Sequence, residues 1–251
     1  GADGAIAGEI TAKAAPDGYT LFFGTSSAMS AVPTMHRKPP YDPVRDFTAI
    51  TDVGRFTFFM YVHPSLPVRT MSELIDYIRA NPGKLNYGTG NTTSIIATAQ
   101  LKSLFKLDAV QIPYKGDAPT TVDMMGGRLQ FGFMSAVPGY AQARDGKLRV
   151  LATLMPERSV LAPELPTLVE AGVKGVSTTA WGGLFGPARM PAPIVERISR
   201  DFRAVLSRPD ILETLGRQGF LARGSTPAEL GAYVKEQVET WSRIVREARL
   251  P

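Results

Sequence analysis

Apolar positions along this chain repeat at two periods, helical spacing and short unbroken runs, and their alternation predicts most of the elements. Ile6, Ile10 and Ala14 share one helical face and predict a helix over residues 4–14. Residues 20–23, 47–53 and 57–63 are β-rich runs, and the last is apolar throughout, as in a strand covered on both faces. Pro33, Pro39, Pro40 and Pro43 predict mostly irregular surface chain over 33–45. Thr70-Met71-Ser72-Glu73 has capping-box spacing and predicts a helix to Ala80, stopped by Asn81-Pro82-Gly83. From residue 84 to 154 strands and helices alternate: a strand at 84–87, a helix on Ala97, Leu101, Leu104 and Phe105, a strand at 110–112, a helix at 118–125 capped by Asp117, a strand at 129–134, a helix, and a strand at 148–154. That rhythm implies a parallel sheet flanked by helices. Beyond it come a short helix near 167–171 and an extended run at 177–185. A long helix follows on Ile194, Ile198, Phe202 and Val205, then a short one from Pro209. A last helix opens at the capping box Thr226-Pro227-Ala228-Glu229 and runs to about Arg249.

Three of the strands run into turns of small, polar residues: Gly24-Thr25-Ser26-Ser27-Ala28, Gly88-Thr89-Gly90-Asn91-Thr92-Thr93-Ser94 and Ser135-Ala136-Val137-Pro138-Gly139. In open α/β sheets ligands sit at the carboxyl ends of strands. A helix start offers free N–H groups and the positive end of the dipole to an anion. Taken alone, the second turn reads more simply as an N-cap cluster, a common use of Thr, Asn and Ser. The shared placement of all three turns is what points to a small anionic ligand.

Composition narrows the chemistry. The chain has 251 residues, 44% hydrophobic and 20% charged, as in ordinary globular proteins, and is long enough for one large domain or two small ones. No apolar run reaches the ~18 residues of a membrane span. The net charge of +5 is scattered, which suits small anions and not nucleic acid. With no Cys and only His36 and His63, thiolate chemistry, disulfides and multi-histidine metal sites are excluded. Gly88-Thr89-Gly90 begins like a dinucleotide fingerprint, but Thr93 breaks it; no nucleophile elbow or P-loop is present. His63, at the end of an apolar strand before Pro64, reads as structural, and His36 as solvated. Tyr114 and Lys115 are either an anion flank or a packed Tyr beside a surface Lys. Trp181 is either core or a wall for the ligand's carbon skeleton; the Gly182-Gly183 that follows favours the wall. Asp42, Asp46 and Asp52 show no paired-carboxylate logic. These residues describe a binder without catalytic base, metal or cofactor. The rival is a sensor or an enzyme on the same fold, with Ser26 or Ser94 as nucleophile.

Several segments resemble the Bug-type extracytoplasmic solute receptors of tripartite tricarboxylate transport systems. They are Ala14-Ala15-Pro16-Asp17-Gly18-Tyr19-Thr20-Leu21, Pro40-Tyr41-Asp42-Pro43-Val44-Arg45-Asp46-Phe47, Val62-His63-Pro64-Ser65-Leu66-Pro67, Asn81-Pro82-Gly83-Lys84-Leu85-Asn86-Tyr87, Pro113-Tyr114-Lys115-Gly116 and Gly224-Ser225-Thr226-Pro227, in the family's order across the whole chain. The resemblance implies a type II periplasmic-binding-protein-like α/β fold: two lobes joined by two crossover strands, with the ligand cleft between them and closure by hinge motion. It implies one lobe of 1–63 plus 182–251 and another of 64–181. It also implies a preceding strand–turn–helix unit that the sequence as given does not contain. The family's pocket turns map onto Thr25, Ser26 and Ser27, onto Gly90, Asn91, Thr92, Thr93 and Ser94 beside Thr89, and onto Ser135 and Ala136. The implied protein is periplasmic and monomeric. It takes a small mono- or dicarboxylate, has membrane permease subunits as partners, and carries out no chemistry.

Overall fold

A computed structural model describes residues 2–247 and divides the chain into two compact units. The first takes the chain up to Arg55, Ala180–Gly216 and the chain from Phe220 onward; the second takes Phe56–Thr179 with Arg217–Gly219.

In the first unit four strands lie in one sheet in the order β1, β8, β2, β9. They are β1 (Phe22–Thr25), β2 (Phe47–Phe56), β8 (Trp181–Pro187) and β9 (Phe220–Ala222). β8 pairs antiparallel with both β1 and β2, and every one of its residues is buried. Gly182 allows this: a Cβ there would overlap the Phe23 ring. Helices α1 (Ala5–Ala12), α7 (Ala192–Leu206), α8 (Pro209–Arg217, its last residue grouped with the second unit) and α9 (Pro227–Glu247) accompany the sheet. The core joins Phe22, Met29, Phe47, Trp181, Phe185 and Leu230. The expected end of α9 at Arg249 lies outside the described residues.

The proline-rich stretch is mostly irregular, as expected, with helix only at its start. A π-helical segment at Ser27–Ala31 runs into α2 (Val32–Met35), and Pro33 sits in its first turn, where a missing N–H costs nothing. Tyr41 ties the following chain back by donating its hydroxyl to the Ala28 carbonyl at 2.8 Å.

The second unit holds a five-stranded sheet in the order β5, β4, β6, β3, β7. The strands are β3 (Phe58–Val62), β4 (Asn86–Thr89), β5 (Val110–Pro113), β6 (Phe131–Ser135) and β7 (Arg149–Thr153). β4 is parallel to β5 and β6, while β3 is antiparallel to β6 and β7. β4, β5, β6 and β7 therefore all run one way, as the alternating rhythm predicts, but β3 is inserted against them and makes the sheet mixed. The reason lies in β3 itself: all five residues are buried, and a central position satisfies both backbone edges. This ladder, from Phe58 opposite Ser135 to Val62 opposite Phe131, groups β3 with the second unit, ahead of the expected division at 63/64.

Helices α3 (Met71–Ala80), α4 (Thr92–Phe105), α5 (Asp117–Met125) and α6 (Ala136–Arg144) connect these strands. α3 starts at the predicted capping box, with Glu73 N–H donating to Thr70 Oγ1 and Thr70 N–H to Glu73 Oε2. Residues 167–171 form a turn, not the expected helix. Thr167 and Glu170 make reciprocal capping bonds, but Gly172 at φ 84° turns the chain at once.

Candidate functional site

The turn after β4 is closed by its own hydrogen bonds. Asn91 is the N-cap of α4. Its Oδ1 accepts from Ser94 N–H at 3.0 Å, while Ser94 Oγ accepts from Asn91 N–H at 3.3 Å. Ser94 Oγ also lies 2.7 Å from the Asn91 carbonyl oxygen and donates to it. Asn91 and Ser94 thus commit most of their polar groups to each other, as an N-cap cluster does. Thr89 Oγ1 accepts from Gln111 Nε2 at 2.9 Å, which leaves its proton available. Among the described residues the Thr93 hydroxyl has no hydrogen-bond partner. Gly90 is required by space: a Cβ there would lie 2.5 Å from the Gly116 carbonyl carbon and 2.7 Å from Asp117 Oδ1. Thr92, Thr93 and Ser94 are buried, and Gly90 and Asn91 half-buried.

Asp117 is the residue that sequence reasoning misread. The N-cap of α5 is Gly116, at φ 118°, and Asp117 caps nothing. Its side chain turns away from its own helix to the other two elements of the site. Oδ1 accepts from Asn91 Nδ2 at 2.8 Å, and Oδ2 accepts from Ser135 N–H at 2.9 Å and from Ser135 Oγ at 2.6 Å. One carboxylate thus joins the turn after β4 to the turn after β6, both expected at the ligand. Burial pushes the Asp117 carboxyl above its ordinary value, against the three hydrogen bonds, which favour the charged form. Ala136, beside Ser135, is buried as the first residue of α6. Only an Asp at the start of a helix was visible in the sequence, where the cap is the usual role.

In the first unit, Thr25, Ser26 and Ser27 stand where β1 passes into the π-helical segment, a distortion common at functional sites. Thr25 Oγ1 lies 3.5 Å from Ala28 N and accepts from it, and Ser26 is buried. Trp181 does not line a ligand surface. It is fully buried, 5.3 Å from the Tyr233 ring and 6.4 Å from Phe185, so it is core and not wall. The same unit buries an ion pair absent from the sequence reading: Arg55 donates to Asp52 at 2.8 Å and lies 4.6 Å over the Tyr233 ring.

The remaining candidates have structural roles. His63 Nδ1 lies 2.7 Å from Ser65 Oγ and accepts from Ser65 N–H at 3.2 Å, closing the turn at Pro64. Tyr114 donates its hydroxyl to Asp123 at 2.6 Å, and Lys115 is exposed. A cavity of about 670 Å³ in the second unit is lined by Ala136, Val137, Tyr140, Arg144, Leu161 and Arg217 among others; of the expected site residues it shares only Ala136.

Comparison with known proteins gives the chain a context. The family described as the tripartite tricarboxylate transporter family receptor, TctC, matches residues 1–250. The chain is 29% identical to protein BugT of Bordetella pertussis over 252 residues, covering 98% of this chain and 77% of BugT. Its fold is similar to that of Rpa4515 of R. palustris, solved with adipate, at a TM-score of 0.88 and 29% identity over 99% of this chain and 84% of that one. It is similar also to MatC of Rhodopseudomonas palustris, solved with bound malate, at a TM-score of 0.82 and 28% identity over 98% of this chain and 85% of that one.

Proposed function

The chain belongs to the tripartite tricarboxylate transporter receptor family, and on that premise we propose that it is a periplasmic receptor that captures a small carboxylate for the membrane subunits of such a transporter. One observation carries the reading: the start of the 14-residue helix α4, where half-buried Asn91 and buried Thr92 and Thr93 stand at the positive end of a helix dipole, a placement that suits an anion. A carboxylate held by neutral N–H and O–H groups gains charge-assisted hydrogen bonds without an Arg. The first unit, taken by itself, offers the turn of Thr25, Ser26 and Ser27; in the second unit the proposed ligand residues are Thr89, Gly90, Asn91, Thr92, Thr93, Ser135 and Ala136. Ser94 supports them as partner in the capping box. The adipate and malate held by the two structural neighbours are consistent with this class of ligand.

The receptor works by binding and release, without bond chemistry. Ser94 Oγ donates to a backbone carbonyl, and the ring of His63 is engaged by Ser65, so neither forms a nucleophile–base pair. A thermal-shift screen against mono-, di- and tricarboxylic acids tests the reading. At least one small carboxylate raises the melting temperature; no shift with any member of the panel would overturn it.

A further inference from the structure

Asp117 fixes not only where Asn91 and Ser135 stand but which way their hydrogen bonds run. Asn91 is held from both sides. Its Oδ1 faces the Ser94 amide at 3.0 Å and its Nδ2 faces Asp117 Oδ1 at 2.8 Å. A flipped amide would set oxygen against carboxylate and NH₂ against N–H, so one rotamer survives. Its second Nδ2 proton is left as a donor. Ser135 is set the opposite way. With its proton given to Asp117 Oδ2 at 2.6 Å, Ser135 Oγ offers only lone pairs, and among the described residues nothing donates to it. Among the described residues no Lys or Arg pairs with Asp117, so its charge rests on Asn91 and Ser135. The other titratable group that faces it is Tyr61 of β3, buried and neutral.

The second unit therefore presents a donor at Asn91 and an acceptor at Ser135, both bound to one carboxylate. A plain carboxylate matches the first and is repelled by the second. Taking the carboxylate reading above as its basis, we propose that Asp117 is a positioning residue that makes this site select acids carrying a hydrogen-bond donor beside the carboxylate, a hydroxyl or an ammonium group, over the same acids without it. A site built to receive a donor rejects the analogue lacking it, because its acceptor is then left unpaired.

Calorimetric titration of the wild-type chain with matched acids tests this: lactate against propionate, malate and aspartate against succinate, 2-hydroxyglutarate and glutamate against glutarate, mandelate against phenylacetate. The substituted acid of a bound series is expected to bind at least about tenfold tighter than its plain partner. The hydroxy and amino members of each series tell which donor is taken. In S135A and in D117N, where the Ser135 hydroxyl is absent or free to turn, that ratio is expected to fall below about threefold. The ratio is insensitive to a general loss of fold, and S135A suffices if D117N does not fold. Equal binding of plain and substituted acids by the wild type, or an undiminished ratio in S135A, overturns the inference while leaving the carboxylate reading standing. Failure of every acid to bind overturns the carboxylate reading, and this inference with it.

Discussion

Two carboxylates in this molecule, buried Asp52 and half-buried Asp117, are held in opposite ways. Asp52 is paired with Arg55 at 2.8 Å, both side chains below a tenth exposed, and the guanidinium lies over Tyr233. Removing one partner leaves an uncompensated buried charge, so Arg55→Met is expected to cost about 3–5 kcal/mol in urea unfolding, and Asp52→Asn combined with Arg55→Met clearly less. Equal losses for the single and double variants would show that packing, not charge, sets the cost. Among the described residues Asp117 has no cation, and burial raises its pKa in the folded state. The folded protein then binds the Asp117 proton more tightly than the unfolded chain does. That contribution is complete below the unfolded value of about 3.9 and is lost as pH rises through the folded value. Wild type should therefore gain less stability than D117N as pH rises above about 4; parallel stability curves for the two would refute this. The role of Asp117 was not legible in the sequence. Spacing places a carboxylate at a helix start, but it cannot say whether the side chain folds onto its own amides or reaches Asn91, 26 residues earlier in the chain. For Trp181 the two neighbouring glycines were a misleading cue, since they make room for the Phe23 and Phe185 rings rather than for a ligand.

Local signals at the level of elements were reliable where the bonds they describe are local. The boxes at Thr70–Glu73 and Thr226–Glu229 both form, with Glu229 N–H donating to Thr226 Oγ1 at 3.3 Å. Thr70→Ala should cost about 1 kcal/mol and leave ligand binding unchanged, as read by chemical denaturation beside titration. The unforeseen elements depend on distant partners. β9 is only three residues long and has no pattern of its own, and β3 reads as a buried strand without revealing that it enters the sheet in reverse. The π-helical segment at 27–31 reads in sequence as a run of small residues. Gly90 is a point where element and site meet. Gly90→Ala would press a methyl onto the Gly116 carbonyl and Asp117 Oδ1, so the turn after β4 has to move. The expected result is at least a tenfold loss of carboxylate affinity, on the order of 1.4 kcal/mol, in a protein that still melts cooperatively. Unchanged affinity would show that the turn is not part of the site.

At the scale of the whole molecule, each unit carries its own sheet and its own core, one on Trp181, Phe185 and Leu230 and the other on Phe59, Tyr61 and Met134. The second unit is nearly continuous in sequence, and the shared direction of β4, β5, β6 and β7 was legible from the repeating strand–helix rhythm, while the reversal of β3 was not. The first is assembled from segments far apart, with Phe22 paired to Phe185, and no local pattern carries such a pairing. A ligand that binds only the folded chain adds stability in proportion to the logarithm of its concentration over its dissociation constant. At a hundredfold excess this is about 2.7 kcal/mol. For a chain of 251 residues that corresponds to a rise of about 5–10 °C in melting temperature. The shift should grow linearly with the logarithm of ligand concentration, and the concentration at which it sets in should match the dissociation constant found by calorimetry. D117N and Gly90→Ala should each show a smaller shift at the same concentration, by the amount their affinity is reduced. A shift equal in wild type and both variants would mean that the acid binds elsewhere on the molecule, and that the turns joined by Asp117 are scaffold rather than receptor.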